Sequence, residues 1–442
     1  MRLVLPYNAR FIIDRLQQSG YTCYAVGGCV RDSILGREPA DWDFTTSALP
    51  EEIERVFSDC RTLNFGKQFG TIGIILDNEQ YEVTTYRLDG EYTDSRHPDS
   101  VSFSTSLQDD LSRRDFTINA MAYNDTDGLI DYFDGQKDLK FGVIRCVGVA
   151  TNRFAEDALR ILRALRFAAT LGFSIEAATS AAILSGKRML SAIAYERISD
   201  ELLKLLCGEK ADFVLRRYRS VFAVFIPELV GTFDYEQNSK HHNRDVYRHT
   251  VAAVSNIEPD PLLRTTMLFH DIGKPLSHTT DRHGESHYYN HPILGAAMAE
   301  EILRRLCMPR LFINDVSILI RYHDVRLKPD PVGIKKLLSK LGVETVRRLY
   351  KVQRADILAQ SMYQREEKLR NLSAVEAETE RILSAGECYN LKMLEINGSD
   401  LLHIGITSGE EIGKTLDTLL DKVITGELSN DKNTLIAAAK AI

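Results

Sequence analysis

The sequence predicts an α+β fold in which the strands are concentrated near the N-terminus and the remainder is all helical. Two observations support this prediction. Residues 1–140 contain short segments rich in β-branched and aromatic residues, separated by turns or helical patterns. After about residue 150, apolar residues recur at helical spacing, as in RFAEDALRILRALRFAATLGF, where Gly172 lies near the end of the predicted helix.

Length and composition limit the protein class. The chain has 442 residues, too many for one ordinary hydrophobic core, so several domains are expected. A 44% hydrophobic and 26% charged composition is typical of an ordered globular protein. The net charge of −7 argues against indiscriminate nucleic-acid binding but is compatible with a local basic surface. No apolar run approaches a membrane span and no signal-peptide core is present, so we expect a cytoplasmic protein without a membrane partner.

The order of segments predicts four domains. The predicted strands are YTCYAV (21–26), WDFTT (42–46), TIGIIL (71–76) and YEVTTYR (81–87). The polar segment at 231–245 has no periodicity and predicts a domain boundary. We therefore predict a head at 1–140, a helical neck at 141–230, a histidine-containing domain at 231–365 and a helical tail at 366–442.

Two aspartates lie close together in the second predicted strand. Asp41 and Asp43 flank Trp42, so side-chain alternation places both carboxylates on one face. Mg²⁺ usually takes one or two protein carboxylates and leaves its other positions to water and substrate phosphates, which suits this pair. Glu82 is a third candidate if its strand is a neighbour. The alternative is that the two aspartates merely face solvent.

A glycine pair precedes the aspartates in YAVGGCVRD (24–32). Between a strand and a short helix, Gly27 and Gly28 would let backbone N–H groups approach a triphosphate, and the helix N-terminus would favour its charge. Arg31 adds a cation. The pair alone would be typical of a tight turn, but glycines, arginine and D-x-D within 17 residues favour a nucleotide site.

The ordered motifs resemble those of class II nucleotidyltransferases, which include tRNA nucleotidyltransferases (CCA-adding enzymes) and bacterial poly(A) polymerases. The resemblance covers nearly the whole chain and implies a palm domain with a small mixed β-sheet, followed by an all-α neck. GGCVRD with DWDF resembles the catalytic motif. RRDFTINAMA (113–122) resembles the motif that binds the nucleotide's sugar and phosphates, which implies roles for Arg114, Asp115 and Asn119.

Two further motifs concern base selection. EDALRILRALRF (156–167) resembles the motif that selects the incoming base, and ERISDE (196–201) resembles the helix-stabilising motif that follows it. Asp157 and Arg160 are three residues apart, so we expect them on one helix face, where a carboxylate and a guanidinium could imitate a partner base. In this family that pair is understood to recognise both CTP and ATP, with Arg163 and Arg166 continuing the basic helix toward the phosphates. The alternative is an ordinary amphipathic helix with an Asp–Arg surface pair.

A histidine-rich set resembles an HD phosphohydrolase domain, with FHDIGKP (269–275) as its most specific string. Adjacent His and Asp residues can both bind a divalent transition metal or Mg²⁺, whose bound water would attack a phosphate ester. Lys274 would contact that phosphate. The expected metal ligands are His249, His270, Asp271, His291, His323 and Asp356.

These resemblances imply an enzyme that adds C, C and A to the tRNA 3′ end from CTP and ATP, with Mg²⁺ at the transferase site. The segment NFGKQFGTIGIIL (64–76) is similar to the tRNA enzymes rather than to poly(A) polymerases, the nearest alternative. The segment at 87–103 resembles a flexible loop needed for adding A, which counts against a CC-adding specialist and leaves an A-adding specialist open. Alternatives of another class are an HD phosphohydrolase with an RNA-binding head and a silent tRNA-binding protein.

Overall fold

The computed structural model describes residues 2–90, 101–282 and 286–441. These form two compact units, residues 1–227 and 228–442. In the described residues, no helix combines the length and the apolar character needed to cross a membrane.

Unit 1 contains a seven-stranded mixed sheet and eleven described α-helices. The strands are β1 Cys23–Val26, β2 Asp43–Thr46, β3 Arg61–Gly66, β4 Thr71–Leu76, β5 Glu79–Thr85, β6 Arg87–Asp89, β7 Val101–Phe103, β8 Met121–Asn124, β9 Gly128–Asp131, β10 Val143–Ile144 and β11 Ser174–Ile175. The helices are α1 Tyr7–Gln18, α2 Gly28–Ile34, α3 Pro50–Val56, α4 Leu107–Ser112, α5 Gly135–Phe141, α6 Ala150–Glu156, α7 Leu159–Leu171, α8 Ala177–Gly186, α9 Tyr195–Leu206, α10 Ala211–Arg217 and α11 Arg219–Phe222.

The main sheet has the strand order β3-β4-β5-β2-β1-β8-β9. Only β2 and β5 run parallel, with Asp43 opposite Glu82, and the other neighbours are antiparallel. Tyr24, Val26 and Tyr86 belong to a buried cluster between this sheet and α4. The predicted α+β class with an N-terminal mixed sheet is confirmed.

Most predicted strands are right in position but not in length. Only β4 has the predicted bounds, and β2 begins at Asp43, so Asp41 lies in the extended segment before the strand. The loop expected at 87–103 has its two ends paired as β6 and β7, while residues 91–100 lie outside the described residues.

The sequence predicts one long helix around residues 153–173, and this prediction is wrong at Asp157. This residue has φ −140° and ψ 104°, so α6 ends before it and α7 begins after it. The cause is local: Asp157 Oδ1 accepts the backbone N–H of Leu159 at 3.0 Å, an alternative to helical pairing that aspartate offers readily. Helix α7 ends at Gly172, in the left-handed conformation that favours glycine.

Unit 2 is helical apart from one short strand pair, β12 Thr279–Thr280 with β13 Ser286–His287. That pair and the pair β10–β11 were missed by the all-α prediction. The described helices are α12 Val246–Ser255, α13 Pro261–Phe269, α14 Lys274–Ser277, α15 His291–Arg305, α16 Arg310–Tyr322, α17 Pro331–Leu341, α18 Val343–Ala359, α19 Arg365–Ser384, α20 Gly398–His403, α21 Gly409–Thr425 and α22 Lys432–Ala439. Leu401, Leu419 and Leu435 are fully buried in the core of the C-terminal helices.

Candidate functional site

The first candidate site lies where β1 ends and β2 begins. Ala25 pairs with Phe44 in antiparallel register, so Gly27, which follows β1, lies near Asp43. On the other side of β2, Asp43 is directly opposite Glu82 of β5, which meets the condition set for Glu82. Paired residues of neighbouring strands point to the same face, so these two carboxylates lie side by side.

The carboxylates repel one another there. The pKa of the half-buried Asp43 is raised to about 6, mainly by burial and then by the nearby Asp41, while Arg114 opposes the shift. Glu82 adds a smaller upward contribution. Asp41 and Glu82 are exposed. Three neighbouring carboxylates offer oxygen ligands to a hard divalent cation, which would relieve their mutual repulsion.

Gly27 and Gly28 bring guanidinium groups close to the backbone. Gly27 has φ +83°, and a Cβ there would lie 3.0 Å from Arg114 Nη1. A Cβ on Gly28 would lie 3.7 Å from Arg31 Nη2. Because glycines have no side chain, two guanidinium groups can lie beside this backbone. A polyphosphate site needs such cations.

A buried carboxylate missed by the sequence analysis holds Arg114. Asp110 in α4 is fully buried, and its Oδ2 accepts Thr45 Oγ1 at 3.0 Å and Arg114 Nη2 at 3.4 Å. Its Oδ1 accepts Arg113 Nη2 at 2.7 Å. The signal was present, because an aspartate three and four residues before two arginines shares their helix face.

Asp115 and Asn119 do not point to solvent but form a buried chain. Arg31 Nη1 donates to Asn119 Oδ1 at 2.7 Å, and Asn119 Nδ2 donates to Asp115 Oδ1 at 3.0 Å. Arg163 Nε donates to Asp115 Oδ2 at 2.8 Å. Burial alone would raise the pKa of Asp115, but Arg163 and these hydrogen bonds lower it to about 2. The nucleotide-binding motif is thus tied to α7.

Three arginines surround one aromatic ring at the end of this chain. The guanidinium carbons of Arg166, Arg31 and Arg163 lie 4.0, 5.0 and 5.6 Å from the centroid of Phe167. Arg166 also donates to Glu201 of α9 at 2.6 Å. Cation–π contacts with the Phe167 ring and the ion pair with Glu201 stabilise these like charges beside one another. Arg163 and Arg166 therefore belong first to a network that orders the motifs.

Asp157 and Arg160 do not lie together on one helix face. Asp157 Oδ2 accepts Arg197 Nη2 at 2.8 Å. Arg160 Nη1 donates to Glu156 Oε2 at 2.6 Å, and its Nη2 donates to the carbonyl oxygen of Arg113 at 3.0 Å. Because the chain is not helical at Asp157, the expected shared face is absent, and each member is held by its own partner.

The second candidate site brings all six predicted ligands together in unit 2. His249 lies in α12, His291 begins α15, and Asp356 lies in α18. His270 and His323 directly follow the ends of α13 and α16. All six side chains are buried. Two groups that could hold a metal ion share Asp271: one with His249 and His270, and one with His291 and His323.

The hydrogen bonds of the imidazoles fix how the rings face this centre. Nδ1 of His270, His291 and His323 each lies 2.7 Å from a backbone carbonyl oxygen. A carbonyl only accepts, so each Nδ1 carries the proton and each Nε2 presents a lone pair. Nε2 of His291 and Nε2 of His323 are 3.2 Å apart, where two lone pairs repel. Two ligands at about 2.1 Å from one ion are roughly that far apart, so these residues fit a metal.

Asp271 lies between the two groups. Its Oδ2 is 3.3 Å from Nε2 of His249 and of His270, whereas its Oδ1 is 3.4 Å from Nε2 of His291. Asp356 Oδ1 lies 3.1 Å from His249 Nε2. Burial would raise the pKa of Asp271, but the positive charge and hydrogen bonds around it, including Lys274, hold it well below its ordinary value. The donor set of imidazoles and carboxylates suits a divalent transition metal.

The residues around the centre include positions that the sequence did not reveal. Arg326 Nη2 and Gln360 Nε2 donate to Asp356 Oδ2 at 2.6 and 3.0 Å. Lys274 Nζ lies 2.7 Å from Asp271 Oδ2 and donates to Gln237 at 2.8 Å. The cluster opens into a cavity of about 650 Å³. Arg326 and Gln360 lie far from the HD string in sequence, and no motif links them to it.

Comparisons with known proteins agree with the first site. Residues 23–145 match the Poly A polymerase head domain, residues 172–230 match the probable RNA and SrmB-binding site of polymerase A, and residues 293–439 match tRNA nucleotidyltransferase domain 2. A CCA-adding enzyme of Levilactobacillus brevis is 34% identical, over 97% of this chain and 96% of the relative. The chain belongs to the CCA-adding enzyme family.

Other members of the family align over a similar length. A CCA-adding enzyme of Staphylococcus aureus is 32% identical over 97% of this chain and 96% of its own. The crystal structure of the Bacillus stearothermophilus CCA-adding enzyme in complex with CTP has a TM-score of 0.69 and 28% identity, covering 98% and 96% of the two chains. The Thermotoga maritima CCA-adding enzyme complexed with tRNA has the same fold, with a TM-score of 0.60 at 23% identity. The resemblance to HD phosphohydrolases stays a prediction.

Proposed function

We propose that the protein adds C, C and A to the 3′ end of tRNA without a nucleic-acid template, using CTP and ATP and releasing pyrophosphate. The observation that carries the proposal is the carboxylate set Asp41, Asp43 and Glu82 beside the glycine pair. Family membership supports the same reaction, since full-length relatives are CCA-adding enzymes and one was crystallised with CTP.

Asp41 and Asp43, with Glu82 beside them, are the proposed ligands for Mg²⁺. When bound, Mg²⁺ would supply charge neutralisation at the phosphates and activate a hydroxyl. The tRNA 3′-oxygen forms a bond to the α-phosphorus, the bond to the bridging oxygen breaks, and pyrophosphate leaves while the hydroxyl proton passes to water. Asp43 and Glu82 are held in register by β2 and β5, so the sheet positions the reacting oxygens.

The arginines and glycines bind the triphosphate in this proposal. Gly27 and Gly28 leave space for phosphate oxygens at the backbone, and Arg114 and Arg31 neutralise them. Asp110 keeps Arg114 in place, and Asn119 orients Arg31. Asp115 acts indirectly, by joining Asn119 to Arg163.

Base choice is proposed to depend on Asp157 and Arg160, each oriented by a charged neighbour. Arg197 fixes the Asp157 carboxylate, and Glu156 fixes the Arg160 guanidinium. Held groups select a base edge better than mobile ones because little side-chain entropy is lost on binding. For Arg160 to reach a base, its contact with Glu156 must be shared or exchanged.

Stepwise incorporation tests the proposal. Purified protein is incubated with tRNA that ends at the discriminator base, at C and at CC, with each of the four triphosphates in turn. CCA addition predicts C, then C, then A, and then a stop. Addition of A alone to the CC end would identify an A-adding specialist, and continued addition of A would identify a poly(A) polymerase.

We also propose that unit 2 is a metal-dependent phosphohydrolase acting on RNA 3′ ends or nucleotides. The observation that favours this function is that the Nε2 lone pairs of His291 and His323 face each other. They lie beside Asp271, whose carboxylate belongs to both groups that could hold a metal ion. Two adjacent divalent ions would supply an activated water and a clamp on the phosphate oxygens. The water oxygen forms a bond to phosphorus, the ester bond breaks, and the alcohol leaves with the water's proton. Lys274 and Arg326 hold Asp271 and Asp356 ionised for this task.

A further inference from the structure

The cavity of the HD site has a basic wall and an aromatic rim. Lys274, Arg321, Arg326 and Lys368 line it, together with the carboxylates of Asp271, Asp324 and Asp356 and several imidazoles. Four cations beside a metal-holding cluster suit an anionic ester. They do not by themselves distinguish a nucleotide from a sugar phosphate, because both carry the same anionic group.

Two neighbouring tyrosines on the rim differ in how they are held. The Tyr288 hydroxyl donates to the carbonyl oxygen of Gln237 at 3.1 Å, and its ring stacks on His278 at 5.5 Å between centroids. Tyr289 also lines the cavity but is 68% exposed. His287 stacks on it at 5.3 Å with an interplanar angle of 12°, and Asp281 lies 3.1 Å from His287 Nε2. Tyr288 is thus a structural ring, whereas Tyr289 is an exposed ring with a rigid backing.

A second hollow of about 520 Å³, lined by both polar and apolar side chains, shares Tyr289 with the basic cavity. Its lining includes Leu276 and Ile293, which are 69% and 52% exposed. Exposed apolar side chains gathered beside a charged cavity usually mark a binding surface. Tyr289 therefore lies at the border between a region suited to phosphate and a region suited to a flat, apolar group.

We propose that Tyr289, backed by His287, stacks on the nucleobase of the HD-site substrate and makes the site selective for phosphate esters that carry a base. The proposal rests on the phosphohydrolase function proposed above. The phosphate lies among the cations and metal ligands, and the base covers the exposed part of the Tyr289 ring. Stacking on an aromatic ring accepts any base, so we expect little preference among the four bases.

The test compares substrates that differ only in the base. Parent protein loaded with Mn²⁺, Ni²⁺ or Mg²⁺ is given adenosine 5′-monophosphate against ribose 5-phosphate, and a 3′-phosphorylated dinucleotide against its abasic counterpart. We expect the base to raise kcat/KM by about tenfold or more, mainly through KM. Tyr289→Ala should bring the ratio of kcat/KM for the base-carrying ester to that for the baseless ester close to one. Tyr289→Phe should keep the advantage of the base, and Tyr7→Ala, at an exposed tyrosine in unit 1, should behave as the parent.

Photocrosslinking separates the two proposals. A 3′-phosphorylated oligonucleotide with a terminal 5-iodouridine should crosslink to Tyr289, as read by peptide mass mapping, whether or not hydrolysis follows. Crosslinking at Tyr289 without hydrolysis by any metal form would overturn the proposed phosphohydrolase function but would support the proposed stacking role of Tyr289. Hydrolysis with an unchanged base advantage in Tyr289→Ala, or crosslinks confined to other residues, would overturn the stacking residue alone.

Discussion

The two candidate metal sites of this chain hold carboxylates in opposite surroundings. In unit 1, Asp41 and Glu82 are exposed beside the central strands β2 and β5, and only Asp43 is partly buried. In unit 2, Asp271 and Asp356 are buried among four imidazoles. An open set of oxygen ligands suits Mg²⁺ that arrives with a nucleotide and keeps its waters, whereas a buried nitrogen-rich set suits a resident transition metal. Chemistry on phosphate therefore does not dictate one kind of metal site.

The largest expected effect is at the open site. Asp43→Ala removes a ligand that the sheet holds opposite Glu82, so metal stabilisation of the transition state worth several kcal/mol is lost. Nucleotide addition should fall about a thousandfold or more, measured as single-nucleotide incorporation into tRNA. Asp14→Ala, at an exposed aspartate of α1, is the matched control. Near-parent addition by Asp43→Ala would rule out its catalytic role.

Loss of the buried site should abolish phosphohydrolase activity without affecting nucleotide addition. His270→Ala combined with Asp271→Ala removes both a ligand and the shared carboxylate, so metal content and phosphohydrolase activity should be lost. CCA addition should stay within about twofold of the parent, because distant sites contribute independently. His403→Ala, at an exposed histidine, is the control. If a well-folded double variant also lost addition, the two sites would not be chemically independent.

Metal exchange sharpens the comparison without mutation. After brief treatment with a chelator followed by excess Mg²⁺, addition should recover at once, since its ligands are exposed. Hydrolysis should persist through the brief treatment, because a buried nitrogen-rich site releases its ions slowly, and after exhaustive removal it should return with a transition metal. The bound metals are measured by mass spectrometry before and after. Equal loss and equal recovery of both activities would contradict the proposed difference between an open Mg²⁺ site and a buried transition-metal site.

A smaller effect is expected at base selection. Arg160→Ala leaves Asp157 with Arg197 but without its partner in reading the base, so discrimination of CTP and ATP against UTP and GTP should fall. An unmatched polar edge costs about 1–3 kcal/mol, or roughly five- to 150-fold in selectivity. Arg217→Ala, at an exposed arginine of α10, is the control. Equal slowing with all four triphosphates would mean that Arg160 does not read the base.

The smallest effect is a pH-dependent stability difference in unit 1. Asp115 has its pKa lowered to about 2, so its ionised form stabilises the fold above the unfolded pKa near 3.9, and this contribution is lost as pH falls toward 2. At pH 6, Asp115→Asn should be less stable by about 2 kcal/mol. The difference from the parent should shrink between pH 4 and pH 3 in denaturant titrations. A pH-independent difference would mean that the charge of Asp115 does not matter.

How much of the fold and of the sites the sequence could predict depends on how far apart in the chain the interacting residues lie. Residues 27–43 supply the glycines and the aspartates, but alternation applies only to Asp43, because Asp41 lies before β2. Glu82 stayed conditional because its pairing with Asp43 joins residues 39 apart in parallel register. Helical periodicity hid the break at Asp157, where one side-chain hydrogen bond overrides the pattern. The six candidate metal ligands of unit 2 were picked out by their residue types and lie together, yet Arg326 carries no motif because it acts on Asp356 through the fold.

The close approach at Gly27 has a consequence for mutational tolerance. Gly36 also has a positive φ, but a Cβ there would meet nothing within 4 Å. Asparagine accepts that backbone conformation, so Gly36→Asn should survive in a saturation library. At Gly27 a positive φ is combined with ψ −127° and with Arg114 Nη1 3.0 Å from the Cβ position, so every side chain would displace the arginine. In a functional screen, a position with no reactive atom should thus be as invariant as the aspartates.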